Sequence, residues 1–251
     1  MTDHKEFLIS PKALRKKTII AFAVFFIMII AVVLAWKWLQ RQPEEQGALK
    51  PLRKVLNYNE SFFGNFFSHN HLAKTFPLNA AVKNVRVNGS EGMSDDFDPA
   101  TWKLHLVRSS GDTQLITLDE IKALPKTEII FDFKCIEGWS QVTHWGGVTF
   151  ADFAKKYGLS NETSKKYAGL ITPDKGYYVG IDMASMLHPQ TILCYEMNGK
   201  PLPLNNGYPL RLIIPVKYGI KHLKRIGSLF FSNERPPDYW YEQGYDYYSG
   251  L

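Results

Sequence analysis

Apolar residues form one long continuous segment near the N-terminus and many short segments after it. The long segment, TIIAFAVFFIMIIAVVLAW at residues 18–36, has no charged side chain. A helix rises about 1.5 Å per residue, so this length just crosses the hydrocarbon core of a bilayer. A secretory signal peptide usually has a shorter apolar region and a cleavage site of small residues, whereas KWLQRQPEEQ follows here. The pattern therefore favours an uncleaved membrane anchor over residues 18–38.

Basic residues on the two sides of the anchor indicate its orientation. Four of them lie within residues 12–17, whereas only Lys37 and Arg41 follow closely behind. Because cytoplasmic flanks carry the excess of lysine and arginine, residues 1–17 are predicted to be a cytoplasmic tail and the domain to lie outside the cytoplasm. Residues 39–60 are polar and contain proline and glycine, which predicts a spacer, and the folded domain is predicted over residues 61–251.

Alternation of apolar and polar residues predicts several short β-strands in the domain. In TEIIFDFKC, residues 127–135, it places Phe131, Phe133 and Cys135 on one face. In the last strand, Pro215 indicates a sheet edge or a bulge. The four predicted strands are AAVKNVRVNG (80–89), TWKLHLVRSSGD (101–112), TEIIFDFKC (127–135) and RLIIPVK (211–217).

Two short helices are predicted between these strands. Residues 117–125 open with Thr117 and Glu120 at the spacing of a capping box and end at a proline. Residues 149–160 carry apolar side chains at helical spacing and end near Gly158. Together with the strands, they predict a mixed α+β domain.

Composition narrows the possible functions. The chain is 45% hydrophobic, which is typical of an ordered globular protein, and its formal net charge of +6 comes from scattered basic residues. Since no basic run is interleaved with aromatic residues, a nucleic-acid partner is not expected. The two cysteines form no C-x-x-C motif, which excludes covalent haem attachment and an iron–sulfur cluster of this chain's own. Cys194 is interpreted as a core residue.

Several separated motifs carry a family resemblance. CIEGWSQVTHWGGVTF (135–150) and NGKPLPLNNGYPLRLIIPVKYGIKHLKRIGSLFFSNERPPDYWY (198–241) resemble the sulfite-oxidase-fold molybdopterin oxidoreductases. The bacterial periplasmic peptide-methionine-sulfoxide reductase branch is the most similar, and the resemblance spans residues 65–245. It implies a sulfite-oxidase-type molybdopterin-binding domain behind one transmembrane helix, a molybdenum–molybdopterin cofactor, and a location at the inner membrane with the domain in the periplasm.

The resemblance implies that Cys135 binds molybdenum, because one soft protein thiolate completes the sulfur ligands of the pterin. A buried core thiol is the alternative. The turn at Glu137–Trp139 and the segment Trp145–Gly147 would wall the cofactor pocket.

The remaining predicted cofactor-binding residues also follow from the resemblance. The phosphate of the pterin needs cations and hydrogen-bond donors, which the family positions Asn206, Arg211, His222, the Leu223 amide and Lys224 would provide. Without the resemblance, the lysines and arginines of residues 217–225 would be interpreted as a solvated basic face. Upstream, Asn70 and His71 match the family, but His69 stands where the family has arginine. A metal site at His69-x-His71 is the alternative interpretation of these histidines, and no third ligand of recognisable spacing accompanies them. Thr172 aligns loosely with a threonine that contacts the pterin.

Substrate and partners are less closely defined. Six arginines lie from Arg53 onward, too few for the arginine-rich site of a sulfite oxidase, so a neutral S-oxide or N-oxide is favoured. Electrons would come from a membrane haem or quinone-linked subunit.

Because the chain ends at Leu251, a sulfite-oxidase-type dimer is not expected. The aromatic residues at 239–248 are interpreted as a packed cover rather than a docking patch.

A cofactor-free scaffold subunit of a membrane complex is the alternative function. Two departures from the family motivate it. His69 replaces the arginine, and Arg15–Lys16 stands where an export signal for folded proteins has two arginines.

Overall fold

The computed structural model describes residues 10–251, so the first nine residues of the predicted tail lie outside the described residues. Helix α1, Pro11–Gln40, begins after Ser10, whose side chain accepts a hydrogen bond from the Ala13 amide. None of its residues is buried. Among residues 10–251, α1 is the one helix that is long and apolar enough to cross a membrane. The predicted apolar helix is therefore confirmed, with longer ends than predicted.

The prediction of a spacer over residues 39–60 is wrong, because most of this segment has regular structure. A hairpin of β1 (Glu44–Glu45) and β2 (Ala48–Leu49) leads directly into helix α2, Lys50–Gly64. The predicted boundary at residue 61 lies inside α2. Scattered lysine, asparagine and glutamate residues obscured the helical spacing of apolar residues in this helix.

Arg53 fastens this segment to the C-terminal part of the chain. Its side chain is fully buried, and its guanidinium donates hydrogen bonds to the carbonyl oxygens of Gln46 at 2.6 Å, Tyr245 at 2.7 Å and Tyr241 at 3.0 Å. The guanidinium carbon also lies 4.1 Å from the centre of the Tyr241 ring. Gly47 is required beside it, because its φ is 71° and a Cβ atom would lie 2.4 Å from the Glu242 carbonyl oxygen.

Two five-stranded sheets and five short helices make up the rest of the domain. One sheet has the order β10–β9–β6–β5, with β11 also paired to β9, and the other has the order β4–β3–β12–β7–β8. All pairs are antiparallel except β12 with β3. The elements are β3 (Leu104–Val107), β4 (Thr113–Ile116), α3 (Leu118–Lys122), β5 (Thr127–Lys134), β6 (Ser140–Thr149), α4 (Phe150–Lys156), α5 (Ser160–Thr163), β7 (Tyr167–Ile171), β8 (Tyr178–Asp182), α6 (Met183–Met186), β9 (Ile192–Met197), β10 (Lys200–Pro201), β11 (Arg211–Ile213), β12 (Ser228–Ser232) and α7 (Tyr239–Glu242).

Local sequence signals explain several of these elements. The capping box at Thr117 and Glu120 is present at the start of α3, and α4 ends just before Gly158, whose φ is 60°. Strand β5 has the predicted alternation, with Phe131 and Phe133 buried and Lys134 exposed. The predicted α+β class is confirmed.

Two strand predictions need correction. Residues 80–89 form no strand, and their polar backbone groups bind elsewhere: the Val82 amide donates to the Val142 carbonyl, and the Asn88 and Gly89 carbonyls accept from Lys224. Alternation alone cannot distinguish such an irregular segment from a strand. The strand predicted over residues 211–217 is limited to β11, because the chain turns before Pro215.

Strand β9, in the sheet that also contains β5 and β6, is buried on both faces. Leu193 and Tyr195 of β9 belong to the large core shared with the second sheet, whereas Ile192 and Cys194 belong to a smaller core with Phe133. Alternate residues of one strand therefore enter two different cores. The smaller core supports the end of β5, where Cys135 follows.

We expect Arg53→Met to lower the free energy of unfolding by about 3 kcal/mol, because the substitution leaves several buried carbonyl groups without donors. Denaturant unfolding of the detergent-solubilised protein measures this change. Lys54→Met, at the exposed neighbouring position, is the control and should change stability by less than about 0.5 kcal/mol. Equal losses in the two variants would contradict the role of Arg53.

Candidate functional site

Cys135 lies directly after β5, in a tight turn that leads into β6. Its amide donates to the Trp139 carbonyl at 2.9 Å, and its carbonyl accepts from the Gly138 amide at 3.1 Å. Gly138 has a φ of 89°, which favours glycine. The Cys135 residue is 6% exposed, and burial raises the pKa of its thiol above the ordinary value. A metal ion at this position would have to displace the proton to bind the thiolate.

Cys135 lines a cleft of about 130 Å³. Aromatic side chains from the residue before β8 and from the C-terminal segment form one wall, and two carboxylates and one ammonium group supply its charges. Backbone from residues 88–89 and 219–220 completes the lining. The aromatic residues are Tyr177, Trp240 and Tyr245, and the charged residues are Glu91, Glu137 and Lys224.

The ammonium group of Lys224 is a buried cation that lines this cleft, and no carboxylate of the described residues pairs with it. This group donates to the Asn88 carbonyl at 2.7 Å and to the Gly89 carbonyl at 2.6 Å. Within residues 10–251, none of the ion pairs includes this lysine. Burial, with a smaller contribution from Arg211, lowers the pKa of Lys224 to about 8. An anionic ligand would therefore supply the countercharge that this lysine lacks.

Arg211 provides a second buried cation behind the cleft. Its guanidinium donates to the Asn206 carbonyl at 2.9 Å and lies 4.6 Å from the centre of the Trp145 ring. Its Nε–H has no hydrogen-bond partner among the described residues, and burial lowers the pKa of Arg211 to about 10. Arg211 forms no ion pair within the described part of the chain either.

The backbone beside these cations also has unused donors. Across residues 10–251, the amides of Leu223, Lys224 and Arg225 donate no hydrogen bond, although all three residues are buried. Buried amides of this kind are rare, and successive free N–H groups form anion-binding concavities. Gly207, with a φ of 106°, lets the preceding turn approach them: a Cβ atom there would lie 3.0 Å from the Arg225 nitrogen.

His222 lines the cleft, but both of its ring nitrogens are already used. The Ile214 amide donates to Nδ1 at 3.4 Å, and Nε2 lies 3.1 Å from the Lys217 carbonyl, which assigns the proton to Nε2. Burial, together with the nearby Arg211, lowers the pKa of His222 to about 3, so its ring is neutral. Its ring contacts Phe133 at 4.7 Å between ring centres. In this arrangement the ring supports the cleft rather than donating to a ligand.

Six of the nine predicted cofactor-binding residues do not line this cleft: Asn206, Arg211, Leu223, Asn70, His71 and Thr172. The last three are also engaged elsewhere. Asn70 and His71 are exposed, and the His71 carbonyl lies 3.3 Å from Nε2 of His188. The hydroxyl of Thr172 is 2.6 Å from an Asp174 carboxylate oxygen, and it accepts from the Tyr177 amide at 3.1 Å. Their assignment to the cofactor remains a prediction from the resemblance.

Gly146 and Gly147 also lie elsewhere than predicted. They pack against β9, where a Cβ atom on Gly147 would lie 2.2 Å from the Leu193 carbonyl oxygen. Their small size therefore permits the close approach of β6 and β9 instead of opening a pocket. Cys194 is fully buried in the smaller core, as the sequence indicated. Within residues 10–251, no group of three metal-binding side chains occurs, so the structure offers no third ligand for His69-x-His71.

Several cleft residues could not be identified from the sequence. Asn88 and Gly89 belong to the segment mistaken for a strand, Glu91 lies just after it, and Tyr177 follows a turn without a recognisable motif. Trp240 and Tyr245 belong to an aromatic run of which any member could have faced the cleft. The same run packs closely, as interpreted from the sequence: the rings of Trp240 and Tyr245 are 5.1 Å apart, and Tyr247 is buried.

The basic residues that could have formed a solvated face are buried instead. Lys217 pairs with Asp182 at 2.6 Å, and Lys221 pairs with Asp238. These two cations are neutralised within the protein, whereas Arg211 and Lys224 are not. One thiol and one unneutralised cation, Lys224, therefore line the cleft, and the second such cation, Arg211, and the free amides lie beside them. This donor set fits a ligand that carries a soft metal at one end and a phosphate at the other.

Comparison with known proteins identifies similar sequences. Residues 91–240 match the family described as "Oxidoreductase molybdopterin binding domain". A relative from Azospira oryzae, named as a protein-methionine-sulfoxide reductase subunit, YedZ1, is 34% identical over 82% of this chain and 79% of its own length. A relative from Xanthomonas campestris, named protein-methionine-sulfoxide reductase catalytic subunit MsrP, is 32% identical over 59% of this chain. The matched region is only 53% of that relative's length.

A solved structure has a similar fold. The sulfane dehydrogenase SoxCD from Paracoccus pantotrophus matches 66% of this chain and 46% of its own chain, with a TM-score of 0.51 and 16% identity. At this identity the likeness concerns the fold alone. It agrees with the sulfite-oxidase-type domain expected from the sequence.

The low pKa of Lys224 predicts a pH-dependent stability. An exposed lysine has a pKa of about 10.4, so the folded ligand-free protein releases this proton first as the pH rises. The free-energy cost of burying the charged ammonium group therefore applies in full below pH about 8. It falls above that pH, because the group loses its proton in the folded protein. Between pH about 7 and about 10, the unfolding free energy of the wild type should rise by about 2 kcal/mol relative to Lys224→Met.

Denaturant unfolding at several pH values measures this difference in ligand-free protein. Lys175→Met, at an exposed position, is the control and should follow the wild type in parallel. Parallel profiles for Lys224→Met and the wild type would show that Lys224 keeps an ordinary pKa.

Proposed function

Because the chain belongs to the oxidoreductase molybdopterin-binding domain family and is a molybdopterin-binding oxidoreductase, we propose that it is a membrane-anchored reductase of S-oxides. The supporting observation is the cleft that Cys135 and Lys224 line together, next to the free backbone amides of residues 223–225. The names of the Azospira and Xanthomonas relatives favour a sulfoxide among the possible substrates.

Cys135 would bind the molybdenum in this proposal. The turn from residue 135 to residue 139 holds its backbone at the end of β5, and the smaller core holds β5 itself. Binding a metal removes the thiol proton, which offsets the effect of burial on the pKa of this group. Lys224, the Leu223 amide and Arg211 would hold the phosphate of the pterin, with Asn206 positioning Arg211 through its carbonyl.

The bound cofactor would supply a two-electron oxygen-atom transfer. Reduction of an S-oxide consumes two electrons and two protons and yields a thioether and water. Trp240 and Tyr245 supply the apolar surface that suits the carbon substituents of such a substrate. Glu91 and Glu137 place negative charge at the cleft, which opposes binding of an anion such as sulfite and favours a neutral S-oxide.

Electrons would come from a separate membrane subunit that carries haem or is linked to quinone. This chain has no C-x-x-C-H sequence for covalent haem, and α1 would keep the domain beside such a partner. The excess of basic residues before the apolar segment favours a cytoplasmic N-terminus, with the domain at the periplasmic side of the inner membrane.

The metal content of the purified protein tests this proposal. After expression in a host that makes the cofactor, we expect close to one molybdenum per chain by elemental analysis. Cys135→Ser should lower sulfoxide-reductase turnover at least about 100-fold, because a hydroxyl does not replace a thiolate as a soft ligand. Cys194→Ala is the control, since this thiol lies in the core: it should cost stability but leave the turnover per folded molecule unchanged.

Two results would contradict an enzymatic role. One is an absence of molybdenum from protein made in a competent host. The other is wild-type behaviour of Cys135→Ser combined with stable, stoichiometric membrane partners, which would favour the scaffold alternative.

The phosphate contacts have a separate test. Lys224→Met should retain the cofactor about 30-fold less tightly, since one charge-assisted hydrogen bond contributes about 2 kcal/mol. Release of the pterin, followed by its fluorescence after dilution, measures this loss. Lys175→Met is again the matched control. Equal retention in the two variants would place the phosphate away from Lys224.

A further inference from the structure

Helix α2 carries an apolar face that the rest of the described protein leaves largely exposed. Five large side chains of this helix, and Phe66 two residues after its end, lie mostly at three- and four-residue spacing, so they share one side. Each is between 46% and 68% exposed: Leu52, Val55, Tyr58, Phe62, Phe63 and Phe66. A contiguous exposed patch of this kind on a folded protein marks a surface that binds something apolar.

The opposite side of α2 fixes the helix to the domain. Arg53 is bound to the carbonyl groups of the C-terminal segment, Glu60 pairs with Arg235 at 2.7 Å, and Asn57 accepts from the same arginine at 3.4 Å. The orientation of the helix is therefore set by these polar contacts. Most of the apolar face therefore points away from the domain, and Phe63 and Phe66 at its end also border a cleft beside the C-terminal residues.

The position of α2 along the chain identifies what this face meets. Its first residue, Lys50, donates its amide hydrogen bond to the Pro43 carbonyl at 2.9 Å. Pro43 is three residues beyond the end of α1, and three extended residues span at most about 11 Å. The start of α2 therefore lies within a short distance of the point where α1 would leave the bilayer. Trp36 and Trp38 near that end belong to the residue type that is enriched in the membrane interface.

The charges around this junction agree with a membrane surface. Lys37, Arg41, Lys50 and Lys54 are all exposed near it, against the exposed Glu44 and Glu45 of the hairpin. The excess is positive, which complements anionic lipid headgroups.

We propose that α2 lies in the membrane interface, with its apolar face inserted among the lipid headgroups and the upper acyl chains. The proposal rests on the membrane anchoring proposed for α1. The bilayer is the occupant favoured here because the face is continuous with the predicted end of the span and has flanking basic residues. The consequence is that the domain is held against the bilayer by two elements, one that crosses it and one that lies along its surface.

Fluorescent labelling of the full chain in lipid nanodiscs tests this proposal. One cysteine is introduced per variant and labelled with a small fluorophore, and the signal of the unsubstituted protein is subtracted. Phe62→Cys reports on the apolar face, and Ser61→Cys reports on the exposed adjacent position about 100° around the helix. Val24→Cys reports on the middle of α1, and Leu204→Cys is a reference on an exposed part of the domain.

We expect lipids with a quencher in the upper acyl chain to quench the label at residue 62 severalfold more than the labels at residues 61 and 204. Iodide in the water should quench residue 62 severalfold less than residue 204. If the label at residue 24 is quenched by lipid while residue 62 behaves like residue 204, α2 does not contact the membrane, although the anchor stands.

Two further outcomes would overturn the proposal in other ways. A label at residue 62 that is shielded from iodide but not quenched by lipid would show that protein covers the face, either a second copy or a partner. A label at residue 24 that iodide quenches freely would remove the anchor and the interfacial helix together. A loss of molybdenum or of turnover has no bearing on these readings, so the test is independent of the proposed enzyme activity.

Discussion

Burial of basic side chains is the constraint on which this structure depends most. Arg211, Lys217, Lys221, Lys224 and Arg225 lie within fifteen residues of one another, and all are almost completely buried. A buried cation is costly unless charge or hydrogen bonds compensate it. Lys217 and Lys221 have carboxylate partners, whereas Arg211 and Lys224 are held by carbonyl groups alone. The fold thus separates the cations that stabilise it from those that remain available to a ligand.

The thiol reaches this cluster through a different part of the fold. Strand β5 buries one face in the smaller core, and the turn after it brings Cys135 to the cleft that Lys224 also lines. A soft ligand and hard cations thereby occupy neighbouring positions without being adjacent in sequence. This arrangement suits a cofactor that is bound at both ends, because each end selects a different chemistry.

The helices and strands that depend on neighbouring residues alone could be predicted from the sequence. The alternation of β5, the capping box at Thr117 and the apolar segment of α1 each depend on neighbouring residues only. The segment at residues 80–89 also alternates, yet its carbonyl groups bind Lys224, a contact between residues about 135 positions apart in the chain. Sequence spacing carries no information about such a partner.

The candidate site, like the fold, could be predicted only in part from the sequence. The family resemblance identified Cys135, His222 and Lys224, which the structure brings to one cleft, and Arg211, which lies behind it. It did not identify the aromatic wall, because a run of tyrosine and tryptophan residues does not show which of them turns inward. The two engaged nitrogens of His222 and the hydroxyl of Thr172 also depend on turns that only the folded chain defines.

The attachment of Arg53 has a mechanical consequence. Its guanidinium donates hydrogen bonds to the carbonyl groups of Tyr241 and Tyr245. Tyr245 and Trp240 in turn line one wall of the cleft. The segment that follows α1, the β1–β2 hairpin and α2, is therefore joined to the wall of the cleft by hydrogen bonds and not by a flexible linker. A displacement of α2 would therefore be transmitted through Arg53 to the backbone of Tyr241 and Tyr245, and so to the aromatic wall of the cleft.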